Sequence, residues 1–185
     1  MRHALSVLVE DKPGVLTRIA GLFGRRAFNI DSLTVAGTER PGYSRMTIIA
    51  HGDRQVVEQL EKQLYKLINV VKVSNLAGSP AVERELALIK VHADVQTRAA
   101  VTQIADLFRA RIVDVAPRSL VVEATGDRDK LEAVLGMLRP FGLKEVVRSG
   151  PVAVSRGQGS LAVPEDETGE EAETRARPVS QSYLQ

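Results

Sequence analysis

The chain has 185 residues, 44% of them hydrophobic, enough to build the core of one ordinary domain or two small ones. It contains no cysteine, which excludes disulfides, thiolate zinc sites, iron–sulfur clusters and cysteine nucleophiles. The net charge of +2 conceals an asymmetry: residues 157–185 carry Glu165, Asp166, Glu167, Glu170, Glu171 and Glu173 against Arg175 and Arg177, so that this stretch is −4 and the remainder +6.

Ala4 to Glu10, with Leu5, Val7 and Val9 on one face, predicts a strand that Pro13 and Gly14 stop. Val15, Leu16, Ile19, Leu22 and Phe23 then fall on one helical face, with Pro13 in a permitted place near the helix start. Phe28–Ala36 and Arg45–His51 predict two more strands, joined through Gly37–Ser44 with its Pro41 and Gly42. Asp53 is placed to cap a helix whose buried stripe is Val56, Val57, Leu60, Leu64 and Leu67, and Val70–Leu76 closes the unit. The order is βαββαβ, the split arrangement of a ferredoxin-like domain.

The pattern then repeats. Ile104, Ala105, Leu107 and Phe108 echo Ile19, Ala20, Leu22 and Phe23 at an offset of 85, and Leu120–Asp127 echoes Met46–Asp53 at an offset of 74. A second βαββαβ copy, trimmed around its hairpin, follows: a strand over Glu85–Val91, a helix over Thr97–Arg109 and strands over Ile112–Ala116 and Ser119–Thr125. An Asp127-capped helix over Arg128–Leu138 and a strand over Leu143–Arg148 complete it. The expected fold class is α+β with two tandem ferredoxin-like units, over residues 1–76 and 84–157, a linker over 77–83, and a disordered acidic tail over 158–185. No run of about 18 apolar residues occurs, and Glu10 interrupts the N-terminus where a signal peptide would stay apolar, so a soluble, cytoplasmic protein is expected.

Catalytic constellations are scarce. Gly157-Gln-Gly159-Ser-Leu-Ala162 satisfies a dinucleotide pattern formally, but Val163, Pro164 and the acidic run supply no helix N-terminus behind it. His3, His51 and His92 sit on different strands without a second metal-ligand type at chelating spacing, and read as core or edge residues. The carboxylate pairs Glu10–Asp11 and Asp166–Glu167 are solvated neighbours, and no Gly-x-Ser-x-Gly elbow occurs. Basic residues are scattered and aromatics make up 4%, which disfavours nucleic-acid binding. An autonomous enzyme is therefore not expected.

One constellation points to a ligand. Asp11-Lys-Pro-Gly14 leads into a helix N-terminus, whose backbone N–H groups suit a carboxylate, and Asn29 offers an amide for the same zwitterion. On physics alone the simpler account, a strand-to-helix turn with Asn29 as a turn residue, is favoured.

Leu5–Leu16 with its Asp11-Lys-Pro-Gly14 turn, Gly21-Leu-Phe23, Asn29-Ile-Asp-Ser-Leu-Thr-Val35 and Ser44-Arg-Met-Thr-Ile48 resemble the acetolactate synthase small-subunit family. So do Glu58–Leu64, Val82-Glu-Arg-Glu-Leu86, Arg148-Ser-Gly150 and Ser155-Arg-Gly157, a likeness running from Met1 to about Gly157. The resemblance implies a non-catalytic regulatory subunit with an N-terminal ACT domain that pairs with a second copy. At the shared interface it implies an effector site for valine or another branched-chain amino acid. The effector's carboxylate would meet N–H groups of Gly14, Val15 and Leu16, Asn29 and Ile30 would come from the partner chain, and Leu16, Ile30 and Leu33 would form the apolar wall. Asp11 departs from relatives that carry asparagine there; it would repel the carboxylate and attract the ammonium. The implied partner is a large catalytic subunit holding thiamine diphosphate, magnesium and FAD, which condenses pyruvate with pyruvate or 2-oxobutanoate. The small subunit would activate it and confer feedback inhibition in valine, leucine and isoleucine biosynthesis, its second unit helping to contact the large subunit. The alternative is a stand-alone ACT-type amino-acid sensor, which would need a DNA-binding element that the sequence does not display.

Overall fold

Apolar residues fill β1 (Arg2–Glu10), and in the computed structural model, which describes residues 1–26, 28–76, 80–157, 159 and 161–162, both faces of this strand are buried. Leu5, Val7 and Val9 face α1 (Val15–Arg25) and α2 (Arg54–Leu64), packing with Ile19, Phe23, Leu60 and Leu64. β2 (Ile30–Gly37), β3 (Tyr43–His51) and β4 (Val70–Asn75) complete an antiparallel sheet in the order β2-β3-β1-β4. Asp53 caps α2, its carboxylate accepting the Val56 N–H at 2.8 Å, so the cap placed from sequence is the cap observed.

The second unit repeats this plan. β5 (Ala81–His92), β6 (Arg111–Ala116), β7 (Ser119–Gly126) and β8 (Leu143–Arg148) form a sheet in the order β6-β7-β5-β8, with α3 (Arg98–Leu107) and α4 (Arg128–Leu138) over one face. Its core is separate: Ala87, Ile89 and Val91 of β5 pack with Leu120 and Val122 of β7 and with Val101, Leu131, Val134 and Leu138 of the helices. Asp127 repeats the cap of Asp53, accepting the Lys130 N–H at 2.9 Å. α3 begins differently. The Asp94 carboxylate accepts the Thr97 N–H, the Thr97 hydroxyl and the Gln96 N–H, bonds that hold its pKa below the ordinary value, the Thr97 N–H foremost. The expected α+β pair of βαββαβ units, the second with a shortened hairpin, is the fold observed.

β5 starts at Ala81 rather than at Glu85 because its first four residues pair with β9 (Val152–Ser155), a strand not predicted. β5 takes β9 only as far as Arg84; it pairs with β7 from Glu85 and with β8 from Ala87. β9 lies against the helix-free face of the first sheet, where Ala153 is buried with Ala4, Ile49 and Leu76, and Arg2 pairs with Glu83 beside it. The two units are thus joined by a β5–β9 ribbon as well as by the chain. Among the described residues, no helix is long and apolar enough to cross a membrane.

The stretch predicted as tail lies outside the described residues except for Gly159, Leu161 and Ala162. Leu161 is 8% exposed and covers Leu8, with Tyr43 and Val71 alongside, while Arg45 donates to the Leu161 carbonyl at 2.7 Å. Truncation after Gly157 should therefore cost about 1.5 to 3 kcal/mol, the burial of one leucine. Truncation after Ala162 should cost almost nothing, because a segment of that acidic composition has little apolar surface to bury. Thermal melts of the two truncated chains check this; equal melting temperatures would show that Leu161 contributes nothing.

Candidate functional site

The turn after β1 is fixed by backbone bonds: the Asp11 N–H donates to Gly42 (2.8 Å) and the Lys12 N–H to Glu10 (3.0 Å). Gly14 follows with φ +82°, left-handed backbone that glycine adopts without strain, and stands at the N-cap of α1. Having no side chain, it caps nothing, and the first turn of α1 holds no acidic residue. A helix N-terminus left this way keeps N–H groups and positive dipole available for an anion. The Val15 N–H is not among the free donors, since it bonds the Lys12 carbonyl at 3.3 Å, and the Val15 side chain is in the core. Leu16 is 45% exposed on the outside of the turn. A methyl group built on Gly14 meets no atom within 4 Å, so the space above the turn is open. Beneath it Arg18 donates to Asn69 (2.5 Å), which donates to Glu10 (2.6 Å), and Glu10 pairs with Lys12 at 2.8 Å.

Asn29 is exposed at the other end of the sheet, just before β2. Its side-chain Nδ2 donates to Asp31 Oδ1 at 2.8 Å, and Asp31 pairs with His51 at the end of β3. Ile30 and Leu33 lie half-buried over the first core, opposite Ala50 and Ile48. The pairing of Asp31 with His51 was not visible in sequence, where His51 read as a core or edge histidine. The β2–β3 register creates it.

Within one chain, then, the candidate residues form two groups rather than one. Asp11, Gly14, Val15 and Leu16 lie where β1 ends, against Gly42 and Tyr43, whereas Ile30 pairs with Ala50 at the far end of β3. The length of β2 separates them, about 23 Å at roughly 3.3 Å per residue. β2 is also a sheet edge, its only strand partner among the described residues being β3.

His3 is buried with no hydrogen-bond partner at either ring nitrogen among the described residues, and His92 lies 3.8 Å from Asp94. Among the described residues no group of three or more histidine or carboxylate side chains could hold a metal ion. The Gly157–Ala162 motif lies partly outside the described residues.

Comparison with known proteins places these features. Residues 5–72 match the model of an AHAS small subunit-like ACT domain, and residues 84–157 match that of the small subunit of acetolactate synthase. A probable acetolactate synthase small subunit of Methanothermobacter thermautotrophicus is 54% identical over 160 residues, 86% of this chain and 95% of the relative. The acetolactate synthase small subunit of Mycobacterium bovis is 56% identical over 155 residues, 84% and 92% of the two chains. The crystal structure of the acetolactate synthase small subunit from Thermotoga maritima superposes with a TM-score of 0.80 at 43% identity, covering 86% of this chain and 99% of that one.

Proposed function

Because the chain belongs to the acetolactate synthase small-subunit family, we propose that it is the cytoplasmic, non-catalytic regulator of a large thiamine-dependent subunit, activating it and imposing feedback inhibition by valine. The observation that carries the effector reading is the separation just described. Gly14 with the uncapped start of α1 suits a carboxylate, and Asn29 Oδ1 with Asp31 suits an ammonium, yet one chain holds them a strand's length apart. Antiparallel pairing of two β2 edges about a two-fold axis sets the Ile30 end of each against the Gly37 end of the other. Each anion site then faces the partner's Asn29, with Leu16, Ile30 and Leu33 near the effector's apolar side chain. Two copies make two equivalent sites.

Asp11 is exposed at the carboxylate end, where its charge opposes the effector's carboxylate and draws its ammonium. Asp11→Asn should therefore change affinity without changing activation. The thiamine diphosphate, magnesium and FAD chemistry belongs to the large subunit, and the small subunit alone should form no acetolactate from pyruvate even with those cofactors supplied. Turnover by the purified chain would sink that part of the reading.

The two-chain site has a direct test. Asn29→Ala should weaken valine binding about 10- to 100-fold, the loss of a hydrogen bond to a charged group. A mixed dimer of one Asn29→Ala chain and one Gly14→Asp chain has one site with both changes and one with neither. Calorimetry on the mixed dimer should recover wild-type affinity at one valine per dimer. If recovery fails while wild-type dimers bind two valines, the two halves do not meet across the interface.

A further inference from the structure

β2 is an edge strand of the first sheet. Among the described residues it has a single strand neighbour, and an open groove of about 390 Å³, walled by Thr34, Ala36 and Arg45 on one side and Val82, Arg84 and Val154 on the other, separates its C-terminal half from the β5–β9 ribbon. A strand with empty space beside it can shift without displacing packed atoms.

Beside this groove the second unit makes a tight contact with β2. Gly150 has φ +76°, and a methyl group built on it would lie 2.5 Å from Ser32 Oγ and 2.8 Å from Thr34 Oγ1, closer than atoms tolerate. Thr34 Oγ1 also donates to the Ser149 carbonyl at 3.4 Å. Behind the contact, Ser149 is tied to β5 at Leu86: its N–H donates to the Leu86 carbonyl (3.0 Å) and its Oγ accepts the Leu86 N–H (3.1 Å). Leu86 lies where β5 changes partner, β9 up to Arg84, β7 from Glu85 and β8 from Ala87. Next to it Arg148 is held by Glu85 (2.6 Å) and by Glu132 of α4 (2.7 Å). The chain therefore runs from the strand that follows Asn29, through a contact that a methyl group on Gly150 would crowd, to the partner-switch point of β5 and onward to α4.

We infer that Ser149 and Gly150 are positioning residues through which a displacement of β2 at the effector site reaches the C-terminal unit. The inference rests on the effector reading above and adds the route by which binding becomes inhibition. Neither residue touches the effector, so altering the contact separates binding from its consequence. The coupling, about 5- to 150-fold in typical allosteric proteins, is the quantity lost.

The test uses Gly150→Ala, which crowds the Ser32 and Thr34 hydroxyls and strains the backbone at φ +76°, and Thr34→Val, which keeps the shape of the side chain and removes the hydrogen bond. Each is measured as small subunit for valine affinity, as reconstituted enzyme for activation and inhibition, and by hydrogen exchange with and without valine. The expected result is valine affinity within about twofold of wild type, full activation, and inhibition at saturating valine reduced to less than about threefold. In the wild type, valine should slow exchange in β2 and at the Leu86 and Ser149 amides; in the variants protection should stop at β2. Wild-type inhibition in both variants overturns the inference and leaves the effector reading standing. Loss of valine binding in both overturns it too, by making the contact part of the binding site. Absence of valine binding by the wild type removes the effector reading, and the inference with it.

Discussion

Gly14→Asp should raise the valine concentration for half-inhibition of the reconstituted enzyme about 100-fold or more, while activation without valine stays near wild type. Two effects add. At φ +82° a non-glycine residue is strained by about 1 to 2 kcal/mol, which destabilises the turn that presents the first N–H groups of α1. The aspartate carboxylate then occupies the open space above the turn, meeting the same N–H groups and repelling the effector's carboxylate. Losing hydrogen bonds to a charged ligand costs about 1.5 to 3 kcal/mol, on the order of 10- to 100-fold in affinity. Gly14→Ala separates the terms: its methyl group clashes with nothing, so it reports backbone strain alone and should fall between wild type and Gly14→Asp. Calorimetry on the small subunit with valine titration of the complex decides the matter. Equal valine affinity in wild type and Gly14→Asp would place the site elsewhere.

That experiment depends on a glycine that was legible in the sequence, and much of the fold was legible for the same reason, namely that local rules were not overridden. The helices over Val15–Arg25, Arg54–Leu64 and Arg128–Leu138 announce themselves by 3.6-residue periodicity, two of them by an aspartate cap that the structure keeps. The internal echo of Met46–Asp53 in Leu120–Asp127 marks β3 and β7, which occupy equivalent places in the two sheets. What stayed hidden is long-range. β9 has four residues, too few for alternation to register, and its partner Ala81–Arg84 is about 70 positions away. The pairing of Asp31 with His51 and the packing of Gly150 on Ser32 and Thr34 exist only once strand registers are set. The candidate site was legible as residue types, and the resemblance implied that Asn29 and Ile30 come from a partner chain; what only the topology supplies is the strand's length that separates Gly14 from Asn29 within one chain.

Leu131→Ala should abolish activation of the large subunit while leaving valine binding intact, because each unit has its own core. Leu131 is fully buried among residues of β5, β7 and the two helices of the second unit, and belongs to no cluster shared with the first. Removing its side chain costs about 2 to 5 kcal/mol, transfer and cavity together, a large part of the roughly 5 to 15 kcal/mol that holds a domain. The damage stays local only if the β5–β9 ribbon does not transmit it. Ala153, the ribbon's buried contact, rests on Ala4, Ile49 and Leu76 of the first unit, so the ribbon keeps its seat when the second core loosens. The mirror variant is Leu60→Ala in α2, at 1% exposure in the first core, which should weaken valine binding while the second unit stays folded. Hydrogen exchange reads the two cores separately: Leu131→Ala should speed exchange across β5 from Glu85, β7 and α4, and spare β1 and β3. If Leu131→Ala instead loosens both sheets equally, the two units fold as one, and activation and effector binding cannot be divided between them.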